Sequence, residues 1–328
     1  MAVTLRNLPS KLLHAARIEL GALKIIVNHG VPDVMLQFLG GIGDELLLTA
    51  VAHELKKRKP SLKIWQVSHS EPLLFHNPDY QRTFNFDDWQ LRYAFFLKRE
   101  RLLLSYSVEV IPAELEIPPD EHILARLCRK AEIRGDVELR PYVYLTNREK
   151  AQGKIGDHFI VVQNMGHSTH QTFMNNKKWY PERIQEVVNL LKKKDPLLSV
   201  VLLGGESDLA LDNVVDLRGK TSLRESAAIL ANAGCFIGTS GFLKHLSRAV
   251  GVRSVIIYGG REHSYQTGYI CNENLNSFVE CAPCWRWNTC DFEKKCMQMI
   301  SVQNVLDAYE RVLEKKNSPL EVETFTIR

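Results

Sequence analysis

The stretch Val34-Met35-Leu36-Gln37-Phe38-Leu39-Gly40-Gly41-Ile42-Gly43-Asp44-Glu45-Leu46-Leu47-Leu48-Thr49 decides the fold class. Its first six residues form a short apolar run that stops at two glycines, the pattern of a strand leaving into a tight turn. From Asp44 to Lys59, residues Leu46, Leu47, Ala50, Val51 and Leu55 recur at helical spacing, and Pro60 stops the helix. Leu62 to Val67 reads as the next strand. Strand, helix, strand is the unit of a parallel α/β sheet. Glycines after a strand let backbone N–H groups approach a ligand, and the helix N-terminus that follows favours an anion. The turn lacks the Lys-Ser/Thr ending of a P-loop. On pattern alone Asp44 is either a helix cap or an acid placed at a ligand.

The same alternation continues outward from this unit. Phe159 to Gln163, Leu198 to Leu203, Cys235 to Ile237 and Ser254 to Tyr258 read as strands, and Pro181 to Lys194, Ser222 to Ala233, Phe242 to Val250 and Ser301 to Glu314 as helices. Glycine turns at Gly204-Gly205 and Gly259-Gly260 close two of those strands. The polar text from Leu139 to Gly156 marks a domain boundary. The expected division is an N-terminal Rossmann-like domain over 1–150, a second over 151–300 and a C-terminal helix and tail over 301–328. Two such domains face a cleft, and ligands of these sheets bind outside the carboxyl ends of the strands. Tyr80, Phe84, Phe86, Trp89, Tyr93, Phe95 and Phe96 make a dense aromatic segment, read as core or as a wall for an acceptor.

Composition narrows the function classes. At 328 residues, with 45% hydrophobic and 24% charged side chains, the chain is neither a disordered tail nor a coiled-coil rod. Its formal charge of +4, from 42 basic less 38 acidic residues, is too small to call for a nucleic-acid partner. It suits anionic ligands or contact with an acidic membrane surface. No apolar run approaches the ~18 residues of a membrane span. Arg6, Lys11, Arg17, Glu19 and Lys24 interrupt the N-terminus, so a cytoplasmic chain is expected. Residues 11–27 have the pattern of an amphipathic helix, lying on the core or peripherally on an inner membrane.

Three further segments carry chemistry. In Lys177-Lys178-Trp179-Tyr180-Pro181-Glu182 a lysine just ahead of a helix is placed to neutralise a diphosphate, unless the turn is merely solvated. In Gly238-Thr239-Ser240-Gly241-Phe242-Leu243-Lys244-His245 a small-residue turn opens a helix and offers N–H groups to phosphate. His245, one turn in, is either part of that site or a core histidine. Finally Cys281, Cys284, Cys290 and Cys296 fall within 16 residues as C-x2-C-x5-C-x5-C. In a cytoplasmic chain such a cluster reads as ligands of one structural Zn or Fe before disulfides, with free thiols as the plainer alternative.

In order and spacing, these segments resemble the heptosyltransferases. The family opens with a strand and Gly-Asp-x-Leu-Leu-x-Thr, matched by Gly43 to Thr49. A Lys-x-Trp-Pro-x-Glu segment is matched by Lys177, Trp179 and Glu182, with Tyr180 at the proline position. Gly-Gly-x-x-Asp is matched by Gly204 to Asp208, and Gly-Lys-Thr-Ser-Leu by Gly219 to Leu223. Ile-Gly-x-Asp-Ser-Gly-x-x-His is matched at Ile237, Gly238 and His245, with Ser240 standing where the aspartate should be and Phe242 where its glycine should be. The resemblance covers residues 33 to 312.

It implies a GT-B fold and an inverting transfer of heptose from ADP-heptose to a glycan, lipopolysaccharide-core or protein hydroxyl. Asp44 would be the general base and Lys177 the diphosphate ligand. Asp208 would hold the ribose, and Thr221 and Ser222 would lie near the adenine. Gly43, Ser240, Gly241 and His245 would complete the donor site. No catalytic metal is expected, and an iron-bearing cysteine segment occurs in the adhesin-modifying branch. Loss of the aspartate at Ser240 leaves two alternatives: a degenerate nucleotide-sugar-binding protein, or a transferase with another donor. The oligomeric state is left open.

Overall fold

The computed structural model describes residues 30–38, 40–85, 100–104, 110–111, 115–116, 119–164 and 175–328, with positions 20, 24, 27 and 28. The reading of residues 11–27 as one helix, and Phe86 to Phe96 of the aromatic segment, lie almost wholly outside them. In chain order the elements are β1 (Val34–Phe38), α1 (Ile42–Arg58), β2 (Ile64–Ser68), β3 (Arg82–Asn85), β4 (Glu100–Leu104), β5 (Val110–Ile111), β6 (Leu115–Glu116), α2 (Ile123–Lys130), β7 (Gly135–Glu138) and α3 (Asn147–Gln152). Then come β8 (Phe159–Val162), α4 (Pro181–Lys194), β9 (Ser199–Leu202), β10 (Val215–Asp216), α5 (Leu223–Asn232), β11 (Phe236–Thr239), α6 (Phe242–Val250), β12 (Ser254–Gly259), β13 (Glu273–Asn276), α7 (Val302–Glu314) and β14 (Thr324–Ile327). Shorter helical turns lie between them. Among the described residues no helix is long and apolar enough to cross a membrane.

Two parallel sheets carry the fold, as expected for GT-B. The first has strand order β3-β2-β1-β4 and the second β10-β9-β8-β11-β12-β13. Each chain path runs outward from a central strand and then crosses back to its other side. The reversal falls between β1 and β4 in the first sheet and between β8 and β11 in the second. Such reversals open a crevice at the carboxyl ends of the strands, which is where these sheets take ligands.

The central strands β8, β9, β11 and β12 of the second sheet are buried on both faces, so they read as nearly continuous apolar runs. Ile160 and Val162 of β8 pack with α4 and α7, while Phe159 and Val161 pack with α5 and α6. Helix α1 is buried nearly all round between Glu45 and Glu54. Leu47, Leu48, Ala50 and Val51 fill the first core, whereas Leu46 joins the core of the second sheet. The chain also returns on itself. β14 pairs antiparallel with β7, placing Ile327 in the first core. The residues from Leu139 to Gly156, read as loop, include helix α3, whose Thr146 N-cap accepts from the Glu149 N–H at 3.2 Å. Tyr80 and Phe84 are core residues: Phe84 lies 5.0 Å from the Trp65 ring.

Candidate functional site

Helix α1 begins two residues earlier than its sequence pattern indicates. Gly41 is the N-cap and Asp44 the third helical residue, its Oδ2 accepting the Gly41 N–H at 2.9 Å. Asp44 is therefore not the cap, but its carboxylate closes the first turn and is oriented by it. The turn is tight: a Cβ at Gly40 would stand 2.7 Å from the Phe38 ring and 2.5 Å from Asp44 Oδ2. One residue on, Glu45 is a functional-looking acid that sequence reading passed over. It is 2% exposed, and its carboxylate accepts from Ser68 Oγ at 2.6 Å, the His69 N–H at 3.0 Å and the Ser70 N–H at 3.1 Å, with His69 Nδ1 at 2.7 Å. These bonds tie the loop after β2 to the start of α1.

The N-terminus of α1 faces the N-terminus of α6. A Cβ on Gly43 would lie 3.5 Å from His245 Cδ2 and 3.6 Å from Phe242 Cα, so the two ligand crevices open toward each other. Gly241 caps α6 in an extended conformation without a side chain in the way. His245 is buried, its Nδ1 2.5 Å from the Tyr269 hydroxyl. Burial, reinforced by the neighbouring Lys244 charge, pushes its pKa well below the usual imidazole range. A neutral ring at the end of α6 supplies hydrogen bonds rather than charge.

The charge lies alongside. Lys177 ends a 3-10 turn, Asn175–Lys177, and its Nζ is 3.1 Å from Glu262 Oε2. Glu262 is 2% exposed and meets two more cations, Arg261 Nη1 at 2.8 Å and Lys244 Nζ at 3.6 Å. Thr267 links them, donating to Glu262 Oε1 at 3.1 Å and accepting from Lys244 Nζ at 2.9 Å. Burial raises the Glu262 pKa, but Lys177, Lys244, Arg261 and the Ser240 hydroxyl together outweigh it and hold the carboxyl well below the usual range. The Lys244 pKa also falls, which for an amine favours the neutral form. Burial, helped by Lys177 and Arg261, outweighs the attraction of Glu262 and lowers it to about 7. Glu262 carried no signal in the sequence, because its lysine partners are distant in the chain.

The remaining predicted donor residues form a second group at the carboxyl end of β9. Asp208 is 3% exposed and its Oδ2 accepts the Gly205 N–H at 3.0 Å, closing the glycine turn on itself. The Gly219 N–H bonds to Gly204 O at 3.0 Å and brings the next segment alongside. Ser222 is the N-cap of α5, its hydroxyl accepting from the Glu225 N–H at 3.2 Å, and Thr221 Oγ1 meets Ser226 Oγ at 2.8 Å.

The cysteine segment follows β13. Two of the cysteines border the Gly260 turn: Cys284 N–H donates to Gly260 O at 3.1 Å, and a Cβ on Gly260 would stand 2.8 Å from Cys296 Cβ. Yet among the described residues no three His, Cys, Asp or Glu side chains are gathered closely enough to hold a metal. Main-chain bonds shape the loop instead, including Trp285 N–H to Arg261 O at 2.9 Å, and Cys290 Sγ accepts from the Lys294 N–H at 3.3 Å. Trp285 is buried under Arg261, 5.1 Å from its guanidinium. The loop does grip the donor side. The Asn176 N–H donates to Trp287 O at 3.0 Å and its Nδ2 to Thr289 O at 2.8 Å, pinning the turn that carries Lys177.

The sequence model of glycosyltransferase family 9 (heptosyltransferase) matches residues 115–296. The chain belongs to that family. It is accordingly a glycosyltransferase of the heptosyltransferase type. No curated protein matches this family 9 chain. Its fold is shared with solved structures of low identity. A family 9 glycosyltransferase from Veillonella parvula has a TM-score of 0.64 at 15% identity, over 87% of this chain and 97% of that one. ADP-heptose lps heptosyltransferase II of E. coli has a TM-score of 0.66 at 14% identity, over 87% and 100%. The iron-containing dodecameric glycosyltransferase TibC of enterotoxigenic E. coli has a TM-score of 0.66 at 15% identity, over 87% and 77%.

Proposed function

We propose that this family 9 enzyme transfers heptose, with inversion, from ADP-heptose to a hydroxyl of a glycan, lipopolysaccharide-core or protein acceptor. Residues 1–150 would take the acceptor and 151–300 the donor. The observation that carries the reading is the pair of facing helix N-termini, with Asp44 on α1 and the Lys177–Glu262–Lys244 cluster beside α6. In this mechanism Asp44 takes the proton of the acceptor hydroxyl as its oxygen bonds to the anomeric carbon. The bond from that carbon to the diphosphate breaks on the opposite face, and ADP leaves. A carboxylate is a weak base in water, so its contribution comes from placement. Charge developing on the leaving phosphate falls to Lys177 and to the N–H groups at Gly241 and beyond. Asp208, Thr221, Ser222, Ser240 and His245 complete the donor site in this reading.

The test separates base from cap. Asp44→Asn keeps an oxygen for the Gly41 N–H but no base, and turnover should fall about 10²- to 10⁴-fold with ADP affinity nearly unchanged. Full activity in that variant would overturn the assignment. Ser240 favours one rival, a binding protein without turnover, for which ADP would bind tightly and no acceptor would react. Thermal shift with ADP, UDP, GDP and ADP-heptose ranks the donors, since a ligand at ~100 times its Kd adds about 2.7 kcal/mol. We further propose that Cys281, Cys284, Cys290 and Cys296 close on a structural Zn or Fe. Their C-x2-C-x5-C-x5-C spacing supports this, as does the position of Cys284 and Cys296 at the Gly260 turn.

A further inference from the structure

Gln163 stands where β8 leaves its sheet. Its backbone N–H donates to Ile237 O at 3.0 Å, carrying the pairing with β11 one step beyond Val162. β8 and β11 are the strands between which the chain path reverses, so Gln163 sits at the mouth of the crevice where such sheets take ligands. The residue is 6% exposed. Its amide oxygen reaches over the N-cap of α6: a Cβ on Gly241 would stand 4.0 Å from Gln163 Oε1.

That buried oxygen has no hydrogen-bond partner among the described residues. Buried acceptors are nearly always satisfied, because an unmade hydrogen bond costs the full desolvation of the group. The positive end of the α6 dipole favours the carbonyl end of the amide at this place. What completes it must bring an O–H or N–H. An ionised diphosphate offers acceptors only, so the group that suits the N–H groups of α6 is the wrong partner for Gln163 Oε1. A sugar hydroxyl is the right one. In the donor reading the transferred ring is bonded to the phosphate at α6 and meets the acceptor on the side of Asp44. The starts of α1 and α6 adjoin, since a Cβ on Gly43 would stand 3.6 Å from Phe242 Cα. The ring is therefore held at the start of α6, beside the Gln163 amide. The ribose hydroxyls belong in that reading to another strand end, at Asp208.

We propose that Gln163 reads the transferred sugar: its Oε1 accepts a hydroxyl of the ring when the donor binds, which makes it specificity-determining for the sugar and indifferent to the nucleotide. This rests on the donor reading above. A sugar that lacks or misplaces that hydroxyl leaves the oxygen buried and unpaired, and a site built this way rejects it strongly.

Gln163→Met keeps the length of the side chain and removes the acceptor. Wild type and variant are compared by thermal unfolding without ligand and by calorimetric titration with ADP and with ADP-heptose. The variant should bind ADP-heptose about tenfold or more weakly, and ADP within about threefold of wild type. Its ligand-free Tm should equal that of wild type or exceed it by up to about 4 °C, because an unpaired buried oxygen has gone. A residue kept for structure alone would lower Tm instead. Equal losses for ADP and ADP-heptose would overturn the proposal, by assigning the amide to the phosphates or the ribose, and so would an unchanged affinity for ADP-heptose. A clearly lowered Tm would overturn it as well. Should Gln163→Met fail to fold, Gln163→Ala, which only removes atoms, takes its place under the same affinity criteria, and failure of both to fold refutes the proposal. These outcomes leave the donor reading standing, whereas wild-type protein that binds neither ADP nor ADP-heptose removes that reading and this one with it.

Discussion

Replacing Lys177 with methionine removes one cation from the donor side while leaving the fold its counter-charges. Lys177 Nζ stands 3.1 Å from Glu262 Oε2, and its side chain is 21% exposed. A unit negative charge brought to ~4 Å of that ammonium gains about 4 kcal/mol at an effective dielectric constant near 20. Glu262 already takes part of the lysine's field, and Lys244 and the N–H groups of α6 continue to act in the variant. A charge-assisted hydrogen bond is worth a net of about 1.5–3 kcal/mol, so ADP affinity should fall about 10- to 100-fold. The apo fold should lose no more than about 1 kcal/mol, because Glu262 keeps Arg261 and Lys244. Calorimetric titration with ADP at low and high salt, paired with thermal unfolding, measures both. The loss should shrink as salt rises. ADP affinity within about threefold of wild type at low salt would refute the reasoning, and so would a collapse of Tm, which would make Lys177 a structural residue.

Three other outcomes are expected. Gly153→Ala should destabilise by about 1–3 kcal/mol in thermal unfolding, because its Cβ would stand 2.2 Å from the Ala228 carbonyl carbon on α5. The control Gly156→Ala, with nothing within 4 Å, should be close to neutral. The Glu149 carboxyl, whose pKa the hydrogen-bonded Arg224 guanidinium lowers to about 2 from 4.5, stabilises the fold above its unfolded pKa and loses that contribution as pH falls through about 2. Glu149→Gln should accordingly cost about 1 kcal/mol at pH 7 and flatten acid unfolding between those two values. Metal analysis of purified protein should find one Zn or Fe per chain, and Cys284→Ser with Cys290→Ser should release it and weaken ADP binding by loosening the loop that pins Asn176. Metal-free wild-type protein with full ADP affinity would eliminate that site.

Much of the fold was legible because its signals are local. Helices Pro181–Lys194 and Phe242–Val250 were read to the residue, since Pro181 fixes the first turn of one and Gly251, with φ of +88°, ends the other. The missed elements lack such marks. Helix α3 buries no residue and so shows no apolar stripe. Strands β7 and β14 are short, partly exposed and make each other's hydrogen bonds across most of the chain length. The start of α1 was misplaced because Asp44, a strong cap residue, bonds back to Gly41 from inside the helix.

The sequence by itself determined the α/β alternation, the glycine turns at strand ends and the order of motifs that places the chain among the heptosyltransferases. Those features depend on neighbours a few residues apart, through backbone geometry and apolar periodicity. Only the tertiary structure decided which charges meet. Glu45 with the loop after β2, and Glu262 with Lys177 and Lys244, are joined by burial across separate elements. A buried charge must find its partner in space, and sequence separation carries no record of that distance.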